Sequence, residues 1–146
     1  MNSIRERILQ ALLAVLRPAV EGLGATLHRS PTVAIQREQC PALVLFAEEE
    51  CIAERRNDRV VRELTVKLVA LARAVPPTEP ETEADRLLTG AHAALFQDVN
   101  LGGLCLGIRE LDSDFEVEDA DAVAAALPAR YQITYRTLIN DLTQTG

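Results

Sequence analysis

Between Leu64 and Leu138 the chain passes from strand periodicity to helical spacing and back, and the order of those changes restricts its fold more than any other feature. In LTVKLVALARA, Leu64, Val66, Leu68, Ala70 and Ala72 fall on one face of a strand and Thr65, Lys67, Val69 and Leu71 on the other. Polarity gives way to aliphatics along the second face, so one end of this strand is expected to project past the core. The prolines of VPPTEPETE remove amide donors and fix the backbone, which predicts a linker over 76–83. Ala84, Leu87, Leu88, Ala91, Ala94 and Leu95 then recur at helical spacing, with Thr82 and Asp85 as its cap. Asn100-Leu101-Gly102-Gly103 reverses the chain. Leu104, Leu106 and Ile108 next alternate with Cys105, Gly107 and Arg109, a half-buried strand with Gly107 as a candidate bulge. An acidic connection over 111–121 leads to the last strand, where Tyr131, Ile133 and Tyr135 alternate with Gln132, Thr134 and Arg136.

The first half begins with a well-marked helix. Ser3 and Glu6 match a capping box, and Ile4, Ile8, Leu12 and Val15, widened by Leu9 and Leu16, make one apolar face. That helix is expected to end near Arg17-Pro18 or to run weakly on to Gly22, and ATLHR follows as a short strand candidate. Thr32 to Gln36 is a candidate edge strand between Ser30-Pro31 and Cys40-Pro41. Ala42 to Ala47 reads as a short apolar strand, and its expected partner is the run that starts at Leu64. Between them lies a charged arm over 48–60, longer than the usual hairpin connection. Glu48, Glu49 and Glu50 are expected on one limb of that arm, and Arg55, Arg56 and Arg59 on the other. It reads either as a solvated loop or as a contact with a subunit or partner.

At 146 residues the chain is long enough for one self-sufficient core, made mostly of Leu, Val, Ile and Ala because aromatics are only 3%. The expected fold is α+β: a single domain over 1–146, with an antiparallel or mixed sheet of about four to five strands flanked by an N-terminal helix and a second helix. The net charge of -7 leaves no overall electrostatic footprint for wrapping nucleic acid. No apolar run is long enough for a membrane span. Ile8 to Leu16 fails as a signal segment because Glu6 and Gln10 interrupt the pattern and no small-residue cleavage site follows, so it reads as the first helix of a cytoplasmic product. Cys40, Cys51 and Cys105 fit reduced thiols better than a disulfide framework.

No catalytic constellation, cofactor motif or metal motif emerges. His28 and His92 have no metal-ligand spacing, and His92 reads as a residue of the helix surface or core edge. Cys105 sits in an apolar strand, as a buried inert thiol would. Gly102, Gly103 and Gly107 precede a strand and lack the Lys-Ser/Thr of a phosphate loop, so they form a turn. Glu48 to Glu50 and the acids from Asp112 to Asp121 offer oxygen ligands for a divalent cation, but no EF-hand spacing is present and solvated acidic loops are the better reading.

The ALVLFAEEE strand with its arm, LTVKLVALARA, the A-D-R-L-L-x-x-x-H-x-A-L helix, the D-x-N-L-G-G-L turn and the closing Y-Q-I-T-Y-R-T come in one order across nearly the whole chain. In that order the chain resembles the tail terminator, or tail completion, proteins of long-tailed bacteriophages, the minor tail protein U-like family. The resemblance implies a non-enzymatic phage or prophage product, assembled in the bacterial host cytoplasm and located in the virion at the head-tail junction. It implies a hexameric ring on the head-proximal end of the tail tube, which stops tube growth and presents the head-attachment surface. The implied partners are further copies of the chain, the major tail tube protein and a head completion or neck protein, with DNA passing through the ring without sequence-specific binding and no membrane involved. Another neck protein of the phage particle is the nearer alternative, and a small cytoplasmic ligand-binding domain or enzyme the more distant one.

Ring closure needs two different complementary faces on each subunit, and mixed charge suits them. The interface candidates are therefore Glu48, Glu49, Glu50, Arg55, Arg56 and Arg59 of the arm with Asp112, Asp114 and Glu116 of the acidic connection. Acids lining an opening would also keep DNA from adhering, by like-charge repulsion.

Overall fold

The computed structural model describes residues 1–33, 35–73, 77–114 and 125–146. Helix α1 spans Ile4–Gly22, and its first free amides are met by Ser3, whose hydroxyl accepts from the Glu6 amide at 3.1 Å. Only that half of the expected capping box forms. The Glu6 carboxylate instead accepts two bonds of 2.6 Å from the Arg29 guanidinium, which ties the start of α1 to strand β1, Thr26–Arg29. Ile4, Ile8, Leu9, Leu12, Leu16 and Val20 are buried, each contributing about 1.5–3 kcal/mol by transfer out of water. Burial of Val20 carries the helix past Pro18 to Gly22, the longer of the two expected ends.

The remaining strands are β2 at Ala42–Arg56, β3 at Arg59–Ala72, β4 at Gly107–Ser113 and β5 at Ala125–Leu138. The sheet is mixed and five-stranded, in the order β1-β2-β3-β5-β4, with β1 parallel to β2 and every other pair antiparallel. Helix α2, Pro80–Leu95, packs with α1 on one sheet face. Leu43, Leu45, Leu64, Val66, Leu68, Tyr131, Ile133 and Tyr135 fill the core beneath them. The α+β expectation holds, and the alternation read in β3 and β5 matches the buried face of each.

Several boundaries differ from the sequence expectation. Thr32 to Gln36 form no strand among the described residues. The edge position beside β2 is taken by β1, anchored by Thr26 N to Pro41 O at 3.1 Å and Ser30 N to Leu45 O at 2.9 Å. The segment predicted as a linker over 76–83 already contains the first turn of α2, because Pro80 stands where a helix has no amide bond to lose. Thr82 and Asp85 lie inside that helix, and Glu79 is the N-cap, with no side-chain bond. The strand expected from Leu104 starts at Gly107, which is therefore no bulge. Cys105 turns into the core while Leu106 stays 54% exposed, and the irregularity of β4 falls between Glu110 and Asp112.

The turn before β4 combines two opposing effects. Leu101 is held at φ 50°, where a Cβ is strained, yet its side chain is buried. Gly102 and Gly103, at φ 69° and 98°, complete the reversal, and the Asp98 carboxylate accepts from the Gly102 amide at 3.0 Å. Among the described residues, no helix is long and apolar enough to cross a membrane.

Candidate assembly interface

The charged arm is a strand pair rather than a loop. β2 continues through the glutamates to Arg56, a two-residue Asn57-Asp58 turn follows, and β3 returns from Arg59. Asn57 takes φ 57°, a left-handed position that Asn tolerates. Arg55 and Arg56 therefore share the glutamates' strand, which corrects the two-limb reading, and only Arg59 stands on the opposite limb. β1 covers β2 only as far as Leu45, so from Phe46 to Arg56 no described strand pairs with the outer edge of β2.

Two bulges set where the acids point. Glu48 is the extra residue between Ala47 and Glu49, and Ala53 between Ile52 and Glu54. The first bulge inverts the phase, so Glu50 rather than Glu49 turns toward the helix side, opposite Leu64. There the Glu50 carboxylate, with its side chain 14% exposed, accepts from Arg5 at 3.0 Å and from the Tyr135 hydroxyl, with Arg62 at 3.6 Å. Arg62 also donates to Thr137 Oγ1 at 3.1 Å. Burial, then the carboxylate beside it, pushes the Tyr135 hydroxyl above the usual tyrosine range. Glu50 is thus the anchor of the arm, and it joins α1, β2, β3 and β5.

Glu48 faces the opposite side of the sheet, 3.5 Å from the Arg130 guanidinium. Arg130 also donates two bonds to Asp112, at 2.9 and 2.8 Å, and these hold the Asp112 carboxyl below the usual carboxylate range. With Lys67, Asp114 and Pro128 these groups line an open cleft of about 300 Å³. Asp114 donates its amide to Pro128 O at 2.9 Å. Glu116 lies outside the described residues, as does the rest of the acidic connection from 115 to 121. Within the first acidic group Glu48 and Glu50 point to opposite faces, and among the described residues no metal-ligating cluster forms.

Of the expected arm residues, Glu49, Arg55 and Arg56 are exposed and have no ion pair among the described residues, while Arg59 donates to Asp58 at 3.4 Å. The partners that satisfy Glu48, Glu50 and Asp112 were not singled out from the sequence. Arg130 was visible as a basic residue just before the alternation of the last strand. Arg5 and Arg62 gave no signal, and Tyr135 only that of a buried strand face, because the β2 bulge that brings Glu50 to them has no sequence signature.

His92 lies at the core edge, with Nδ1 2.8 Å from the Tyr131 hydroxyl and 3.5 Å from Glu110. Burial pushes that hydroxyl up to about 12. His28 Nε2 is 2.8 Å from Thr26 Oγ1 on β1. Cys40 and Cys105 are buried, Cys51 is exposed on the arm, and all three are free thiols. Burial raises the Cys105 thiol to about 11.

No family model and no curated protein matches the chain. One chain of the solved structure "Virion of native gene transfer agent (GTA) particle" is similar over 90% of each chain, with 10% identity and a TM-score of 0.45. A likeness of that degree carries no conclusion about function.

Proposed function

We propose that this chain is a structural, non-enzymatic protein of a long-tailed phage or phage-like particle. Copies of it close into a hexameric ring on the head-proximal end of the tail tube, stop tube growth and present the surface that the filled head meets. The order of pieces from the first helix to YQITYRT supports the reading. The observation that carries it is the β2–β3 arm, whose outer limb is anchored at Glu50 and leaves Arg55 and Arg56 without ion pairs among the described residues. Rigid mixed-charge elements of this kind fix register between subunits and disfavour wrong partners. The partners are other copies of the chain, the tube protein and a neck protein, and DNA passes through the opening without specific contacts.

The test is capping. Purified chain added to isolated tail tubes should seat as a ring on one end in electron micrographs. Arg55→Glu with Arg56→Glu should impair ring formation or tube binding while thermal melting stays close to that of the parent. Unchanged capping by the reversed chain would remove these arginines from the proposal, and tubes left bare by the parent chain would remove the proposal itself.

A further inference from the structure

The sheet register places charges of opposite sign at the two ends of the same rows, on the face away from the helices. One row runs Glu49, Thr65, Gln132, Arg109, and the next charged row runs Glu54, Val61, Arg136. Arg136 ends its row because β4 begins only opposite Thr134, which leaves that stretch of β5 at an edge. Glu49 and Arg109 are three strand spacings apart, roughly 14 Å, too far to pair within one chain. All four charged side chains are exposed, and among the described residues none has an ion pair and the Arg109 guanidinium donates to Gln132, at 2.8 Å. By contrast Glu48, Glu50 and Asp112, near the same edges, are already satisfied by arginines of their own chain.

The pattern continues above and between these rows. Toward the hairpin tip the signs reverse: Arg56, opposite Arg59, begins a row that ends at Leu138 and its bridge partner Asp141. Between the two acidic positions, but on the helix side of the sheet, Ile52 leads through Arg62 to Tyr135, and Leu106 lies beside that row, donating its amide to Thr134 O at 2.7 Å. Ile52 is 40% exposed and Leu106 54%, so each edge also offers an apolar contact at one height.

We infer that the β2 edge of one copy docks against the β4–β5 edge of the next, Glu49 and Glu54 meeting Arg109 and Arg136, in a head-to-tail interface between copies of this chain. Matching charges at equal height on opposite edges keep successive copies level, the condition for a heterologous contact to close into a ring rather than climb into a helix. Two bulges and many charges also mark β2 as an edge protected against nonspecific strand pairing, so side chains rather than continued backbone pairing select the partner. This inference rests on the ring reading above and supplies its interface.

The experiment is native mass of the full chain at low ionic strength, where exposed charges are least screened. Glu49→Lys with Glu54→Lys should dissociate the assembly, as should Arg109→Glu with Arg136→Glu. An equimolar mixture of the two variants, or all four changes in one chain, should restore the parent mass, since each reversed edge then meets its complement. Should a reversed chain lose its melting transition, the neutral pair Glu49→Gln with Glu54→Gln serves instead, with weakened association expected. A parent chain that stays monomeric, reversed edges that leave the mass unchanged, or a mixture that fails to reassemble would each overturn the interface. Reversed edges within an intact, tube-capping ring would leave the ring reading standing. Association through these edges with tubes left uncapped would overturn the tube reading alone.

Discussion

The Tyr135 hydroxyl donates to the Glu50 carboxylate where the β2–β3 arm leaves the core. A bulge at Glu48 aims Glu50 at that point, and Arg5 and Arg62 complete its surroundings. The arm is therefore held at its base by a charge that is mostly buried.

Glu50→Ala should destabilise the chain by roughly 2–3 kcal/mol, short of the loss for a fully buried pair because Glu50 keeps some solvent contact. Tyr135→Phe, which removes one hydrogen bond and leaves the ring packed, should cost about 1 kcal/mol. Urea unfolding of both variants checks the order. Equal effects would show that the arginines contribute nothing beyond the hydroxyl bond.

Glu50 also shows how far the sequence could be read. The alternation of β3 and β5 and the stripe of α1 follow from burial on one face, which leaves a periodic trace in the residues. The outer part of β2 leaves none, since from Ala47 to Arg56 it is exposed on both faces except at Glu50, and its strand character comes from backbone pairing with β3. EEECIAERR for that reason reads only as a charged arm, open to both a solvated loop and a contact, and the single inward glutamate among three is not distinguishable. The first turn of α2 was missed because Pro80 reads equally as a breaker and as the first residue of a helix. Among the candidate interface residues, the types were legible but their partners were not, since those lie across strands.

Leu101→Gly sets two effects against each other. Glycine relieves a left-handed strain of about 1–2 kcal/mol, while loss of a buried leucine side chain costs about 2–5 kcal/mol. Burial should win, giving net destabilisation by thermal melting. A stabilised variant would mean that the turn, not the side chain, dominates at this position.

Acid should loosen two ties. The Arg29 hydrogen bonds hold the Glu6 carboxyl below the usual carboxylate range, and those from Arg130 do the same for Asp112. Both acids therefore bind protons less readily folded than unfolded. Their stabilisation is fully present above the ordinary carboxylate range and is lost as pH falls through the lowered folded values. In carboxyl NMR titrations, Arg29→Gln should return Glu6 and Arg130→Gln should return Asp112 toward ordinary values, each leaving the other unmoved.

Thiol reagents should find Cys51 first in the native chain, because Cys40 and Cys105 are buried and burial raises both thiols. Cys51 should still react more slowly than a free thiol, since its own value is raised by desolvation and by Glu63 beside it. Mass spectrometry after timed labelling should show one modified site in native protein and all three after unfolding. Early modification of Cys105 would contradict its burial in the core.

Assembly is read most directly by native mass across concentration combined with electron microscopy of any large species. A hexameric ring with a central opening that seats on the end of a tail tube is the expected result. A stable dimer, whose single self-complementary interface would leave no second face for ring closure, would contradict it.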